Sequence, residues 1–169
     1  LVSANGTVHV TNEAGGVLSS ADADGIKAGN NSVLDNYGKI VGGNLSSATG
    51  SDSGNDGVDF GGNAGTVNNY LGGSITGARH GITGDLAITV NNTGAITGQD
   101  GGGLNMDTTS GTTIVNNYAG GVITGNALHG DGDPIDVDYL VNITNAGTIQ
   151  AVGIDPASAG SLNEALAIG

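Results

Sequence analysis

Residues 67–77 read VNNYLGGSITG, and residues 115–125 read VNNYAGGVITG. Nine of the eleven letters agree at a separation of 48 residues. Between them, residues 90–98 read VNNTGAITG, the same phrase shortened by two residues and offset by 23 from one copy and 25 from the other. Such a period is too short for a domain and is the signature of a repeat architecture.

Working outward, the repeat key is an Asn followed within two to four residues by Gly and then an aliphatic residue. Six copies carry it, at Asn12, Asn36, Asn69, Asn92, Asn117 and Asn145, at intervals of 24, 33, 23, 25 and 28 residues. A second column follows each key as Gly25-Ile26, Gly57-Val58, Gly81-Ile82, Gly103-Leu104, Pro134-Ile135 and Gly153-Ile154. Upstream of each Asn stands a short alternating run: Val8/Val10, Val33, Val67, Ile88/Val90, Ile114/Val115 and Val141/Ile143. Each repeat therefore holds about three short strands separated by Gly- and Asn-rich corners.

No helical pattern separates these strands, so βαβ crossovers are excluded. About 24 residues, at roughly 3.3 Å each where extended, make one circuit of a coil with three faces. Successive circuits stack about 4.8 Å apart, each strand parallel to its equivalents. The expected fold is all-β, a parallel β-helix of about six rungs, right-handed by analogy with parallel crossovers. Ile40, Ile75, Ile96, Ile123 and Ile149 are expected to stack inward as one column. The Asn column is expected at a corner, where Asn tolerates the left-handed conformation and its amide can bond to the same amide one rung away.

Composition agrees. The chain has 169 residues, with 34 Gly, 16 acids against three cations (Lys27, Lys39, Arg79), a formal charge of −13 and no Cys. Such a surface repels nucleic acid and anionic lipid. The absence of Cys excludes disulfides and thiolate metal sites. No stretch is long and apolar enough to span a membrane as a helix. No signal peptide stands at Leu1, and a mature or trimmed segment is expected. The whole chain, 1–169, reads as a single β-helix domain or a segment of a longer solenoid. Loop insertions are expected near 42–57 and 125–139, where the interval between keys swells.

The phrase N-x-G-x-I-x-G, preceded by a Val or Ile run and followed by G-I, resembles the passenger domains of Gram-negative autotransporter proteins. The likeness runs from Val8 to about Ile154. It implies a right-handed parallel β-helix displayed outside the cell or on a bacterial surface as an adhesin. The motif encodes β-helix corners, and pectate-lyase-like enzymes and phage tailspikes share that need.

Candidate chemistry concentrates in DGDPIDVDY, where Asp131, Asp133, Asp136 and Asp138 alternate. They are candidate ligands for Ca²⁺, which takes six to eight oxygens, or paired acids of a glycoside hydrolase. The plainer reading, an exposed corner with Ile135 and Val137 turned inward, weighs more, so no cofactor is required. Asp52, Asp56 and Asp59 pose the same question within an expected polar loop. His80, Asp100 and His129 fall near one corner beside Arg79 and could form an acid–base or metal cluster. Exposed corner residues are the preferred reading, and His9 finds no partner. Tyr37, Tyr70 and Tyr118 follow equivalent Asn residues and are expected to stack rung on rung. Tyr139 and Phe60 complete the scarce aromatic set.

The expected function is a structural, adhesive module of a secreted or surface-exposed bacterial protein, not an enzyme. It would bind a cell-surface protein or glycan through its surface and loops. Two alternatives stand beside it: a subunit that self-assembles end to end into a filament, and a carbohydrate-active β-helix enzyme. Neither nucleic acid nor direct membrane insertion is expected.

Overall fold

The computed structural model describes residues 6–43, 55–129, 132–153 and 163–169. Its strands come in threes, one trio per circuit. The first circuit holds β1 (His9–Asn12), β2 (Val17–Ser19) and β3 (Ile26–Lys27). The second holds β4 (Ser32–Asn36), β5 (Lys39–Gly42) and β6 (Val58–Asp59). The third holds β7 (Gly65–Asn69), β8 (Ser74–Gly77) and β9 (Ile82–Gly84), and the fourth β10 (Thr89–Asn92), β11 (Ala95–Gly98) and β12 (Leu104–Met106). The fifth holds β13 (Thr112–Asn117), β14 (Val122–Ala127) and β15 (Ile135–Val137). The sixth holds β16 (Leu140–Asn145), β17 (Thr148–Gly153) and β18 (Ala167–Ile168). Every strand pairs with the strands three before and three after it, giving three six-stranded sheets, all parallel. The protein is a parallel β-helix of six rungs.

Because side chains alternate across a strand, the corner Asn sets which residues face inward. Two residues before it stand Val10, Leu34, Val67, Val90, Val115 and Ile143, which stack in register on the first face. Val33 and Ile114, members of the alternating runs, turn outward: they pair with Thr66 and Thr89, one residue off the inward register. On the second face Leu18, Ile40, Ile75, Ile96, Ile123 and Ile149 form one column. Its four middle members are fully buried, whereas Ile149, in the last rung, is only partly covered. Fully burying each such side chain contributes about 1.5–3 kcal/mol.

The third face stacks Ile26, Val58, Ile82, Leu104 and Ile135. Its sixth strand is Ala167–Ile168, paired with Asp136 and Val137, rather than a strand at the expected Gly153-Ile154. Ile154 lies outside the described residues, and Gly153 ends β17 with φ at +80°. Phe60 is not a surface platform. It is fully buried against the third face, and a Cβ on Gly65 would approach its ring to 2.2 Å.

The corner between the first and second faces explains the N-x-G phrase. Gly38, Gly94 and Gly147 each lie against the corner below, where a Cβ would stand 2.2–2.3 Å from the carbonyl oxygens of Gly16, Gly73 and Gly121. Only Gly fits this approach. The corner also alternates in length. Rungs one, three and five use four residues, 13–16, 70–73 and 118–121. Each of these long corners closes with a bond from the last N–H to the first carbonyl (Gly16 to Glu13, Gly73 to Tyr70, Gly121 to Tyr118). Rungs two, four and six use two residues, 37–38, 93–94 and 146–147. Long and short corners nest, which is why VNNYLGG and VNNTG alternate in the sequence.

The expected insertion at 42–57 begins where β5 ends, and residues 44–54 lie outside the described structure. Most of the second expected insertion, 125–139, is wall rather than loop. Gly125–Ala127 finish β14 and Ile135–Val137 form β15.

Candidate functional site

Three polar columns run along the coil. The first is the inner Asn ladder. The Nδ2 of Asn12, Asn36, Asn69, Asn92 and Asn117 donates to the Oδ1 of the next Asn, ending on Asn145, at 2.8–2.9 Å. The second amide hydrogen reaches a carbonyl of the rung above, such as Ser74 for Asn36 and Ala95 for Asn69. The first five asparagines are buried. A buried polar group without a partner costs about 1–3 kcal/mol, so each amide depends on the rungs beside it.

A second ladder stands on the outside of the first face, one residue before the corner Asn. Asn116 Nδ2 donates to Asn91 Oδ1 at 2.9 Å, Asn91 to Asn68 at 2.8 Å, and Asn68 to Asp35 Oδ1 at 2.8 Å. This ladder runs opposite to the inner one and ends on a carboxylate. His9 Nε2 lies 2.5 Å from Asp35 Oδ2, and this bond, with those from Asn68 and Tyr70, holds the Asp35 carboxyl below its ordinary range. His9 thus has a partner that the repeat phrase did not reveal. The Tyr70 hydroxyl donates to Asp35 at 3.3 Å, and its ring stacks on Tyr37 with centroids 4.2 Å apart and planes within 5°. Tyr118 does not join this pair, because the intervening rung carries Thr93 in the Tyr position.

The third column occupies the corner before the third face. Asp24 Oδ1 accepts the N–H of Asp56 at 3.1 Å, Asp56 Oδ1 that of His80 at 3.0 Å, and His80 Nδ1 that of Gly102 at 2.9 Å. Each side chain therefore caps the backbone one rung on. Burial drives the Asp56 carboxyl up to about 7 against the His80 N–H bond, and it also raises Asp24. Burial, helped by the Arg79 charge, pushes the His80 imidazole down to about 3. His80 is therefore neutral at pH 7 and serves as an acceptor.

Asp100 belongs to the same corner. It takes the N–H groups of Leu128 and His129 at 2.9 and 2.8 Å and the His129 Nδ1 at 2.8 Å. Of His80, Asp100 and His129, expected as exposed corner residues, two are buried. His80 and Asp100 are 8% and 7% exposed, and only His129 is open to solvent. Their polar atoms are committed to backbone N–H groups that strands leave unpaired at the corner. The pairing of His80 with His129 through Asp100 does not form. Asp56 and Asp59 likewise leave the expected polar loop for the wall. Both are buried, and Asp59 pairs with Lys27.

Of the four alternating acids, Asp131 and likewise Asp52 of the other insertion lie outside the described residues. Asp133 is buried at the corner, Asp136 faces outward from β15 and Asp138 is exposed, while Ile135 and Val137 are fully buried between them. Among the described residues no three His, Asp or Glu side chains are grouped to hold a metal ion. The asparagines of the outer ladder and the Asp24–Asp56–His80 column were missed in the sequence. The available signal was the first Asn in each VNN, and the polar residue just before Gly25-Ile26, Gly57-Val58 and Gly81-Ile82. Comparison with protein-family models, curated proteins and solved structures gives no match for this chain.

Proposed function

We propose that this β-helix is a structural, adhesive module of a secreted or surface-displayed bacterial protein, of the kind its resemblance to autotransporter passengers implies. It binds through an extended surface and carries out no reaction. The observation that carries this reading is the outer amide ladder. Asn68, Asn91 and Asn116 are held rigid and in register on a flat sheet, with the Tyr37–Tyr70 pair at its edge. Such a row presents hydrogen-bonding groups at the rung spacing of about 4.8 Å. Pre-organised groups lose little entropy on binding. The partner is a cell-surface glycan with repeating hydroxyls, or a protein strand. The charge of −13 disfavours polyanions such as nucleic acid.

The test is binding of the chain to immobilised cell-surface glycans and matrix proteins, with Asn91→Arg as the variant that breaks the flat row. Binding by the wild type that is lost in a folded Asn91→Arg supports the reading. Binding that survives this variant, or no binding across the array, defeats it.

A further inference from the structure

The alternation of corner length shapes the surface as well as nesting the rungs. A two-residue corner sits back between the four-residue corners on either side, so a recess opens over it. On the second rung the short corner, 37–38, lies between the long corners 13–16 and 70–73. The recess there has a volume of about 300 Å³ and is lined by Gly15, Gly16, Val17, Tyr37, Gly38 and Lys39 among others. That volume is at the lower end of the range for small-molecule sites, roughly 300–1,000 Å³, and suits one sugar ring. Gly15 and Gly72, with φ at +81° and +86°, stand on its two rims and project no side chain across it.

Its chemistry differs from that of the surface around it. The chain carries 16 acids and three cations, and one of the three lines this recess. Lys27 is taken by Asp59, and Arg79 lies beside Asp56 and His80. Lys39 is exposed and makes no ion pair with a described residue. Its cross-strand neighbours, Val17 and Ser74, carry no charge. Val17, 61% exposed, and Tyr37, 38% exposed, supply apolar surface beside the ammonium. The stack on Tyr70 fixes the Tyr37 ring, so little side-chain freedom is lost when a ligand packs there. The fourth rung has an equivalent short corner, 93–94, between the long corners 70–73 and 118–121. Thr93, Gly94 and Ala95 stand there in the places of Tyr37, Gly38 and Lys39, with neither ring nor charge.

We infer that the recess over the second rung binds an acidic sugar, whose carboxylate pairs with the Lys39 ammonium and whose C–H face packs on Val17 and Tyr37. This site rests on the reading of the chain as a glycan binder, and it names the class of sugar. A carboxylate on an ammonium forms a charge-assisted bond, about twice as strong as a neutral one. The apolar wall beside it distinguishes a sugar acid from a bare anion, which has no C–H face to pack. The net charge of −13 repels a run of acidic sugars, so the ligand is a glycan with a single acidic sugar at its end. The ion pair is open to solvent, and salt weakens it.

The test is titration of the chain with sialyllactose, with lactose as the neutral probe and acetate as the bare carboxylate, followed by NMR at low salt. Sialyllactose should bind at least about tenfold more tightly than either. Lys39→Met should erase that preference, and Lys39→Arg should keep it. Val17→Glu places a carboxylate on the strand beside Lys39 and should erase it as well. Lys39 and Val17 are both exposed, and circular dichroism checks the fold of each variant. A wild type that does not distinguish sialyllactose from lactose overturns the inference. So does acetate binding as tightly as sialyllactose, or a preference that survives Lys39→Met. The broader reading fails separately. Array binding that depends on Asn91, without any preference for sialyllactose, leaves that reading standing and removes this site. A preference that depends on Lys39 in a chain whose array binding ignores Asn91→Arg keeps the site and removes the outer row.

Discussion

Two corners of this coil solve the same problem with different chemistry. Each must satisfy backbone and side-chain polar groups in a place where the strands end. The Asn corner uses a neutral group that donates and accepts, so each rung satisfies the next with a copy of itself. The corner before the third face uses carboxylate oxygens and an imidazole nitrogen as acceptors for backbone N–H groups. The amide ladder can repeat indefinitely and has no dependence on pH. The acidic column buries titratable groups, and burial displaces their pKa values. The first corner therefore carries the periodicity, and the second makes stability sensitive to protons.

The largest effect is expected from giving the first corner the chemistry of the second. Asn92→Asp keeps shape and acceptors but removes the amide donor to Asn117 and buries a charge where exposure is nil. Two oxygens then face each other across one rung. The expected loss is roughly 3–5 kcal/mol at pH 7, read as a fall in the denaturant midpoint. Protonation at low pH restores a donor, so much of the loss should return in acid. An unchanged midpoint at pH 7 would show that the ladder does not hold the rungs together.

The reverse exchange acts at the second corner. Asp56 has its carboxyl raised to about 7, so the folded state holds a proton that the unfolded chain releases above about 4. This term lowers stability as pH rises from about 4 to 7. His80 is depressed to about 3, so the unfolded chain takes up a proton below about 6.5 that the folded state refuses. That term raises stability as pH rises from about 3 to 6.5. Across the shared window the two slopes oppose each other, and the wild type should be nearly flat. Asp56→Asn keeps the acceptor for His80 and should gain about 1–3 kcal/mol at pH 8, with stability now rising with pH between about 4 and 6.5. His80→Asn should tilt the other way. Parallel pH profiles for the two variants would refute the assignment.

How legible each corner was follows from the same contrast. The inner ladder repeats one residue type, so Asn36, Asn69 and Asn92 announce themselves despite an interval swollen to 33 residues. The second corner repeats a role rather than a letter. Asp24, Asp56 and His80 share only the capacity to accept a hydrogen bond, and the insertion between β5 and β6 separates the first two. Which way a strand residue faces has an equally physical source. Val33 and Ile114 are β-branched and sit beside inward residues, but a shift of one position reverses the face. The distance back from the corner Asn decides the matter. His9 found Asp35 across a rung boundary, a contact that no local motif encodes.

The smallest expected effect separates burial from ladder chemistry. Asn91 makes the same amide-to-amide bonds as Asn92, to Asn68 and from Asn116, but on the outer face, half-buried rather than buried. Water can replace each lost partner there, so Asn91→Ala should cost no more than about 1 kcal/mol. Asn92→Ala, which strands Asn69 and Asn117 away from solvent, should cost at least twice as much. Chemical denaturation of the two alanine variants, side by side, reads the difference. Equal losses would mean that amide stacking itself stabilises the coil wherever it occurs. A large gap assigns the stabilisation to burial, and leaves the outer row free to exchange its partners for a ligand's.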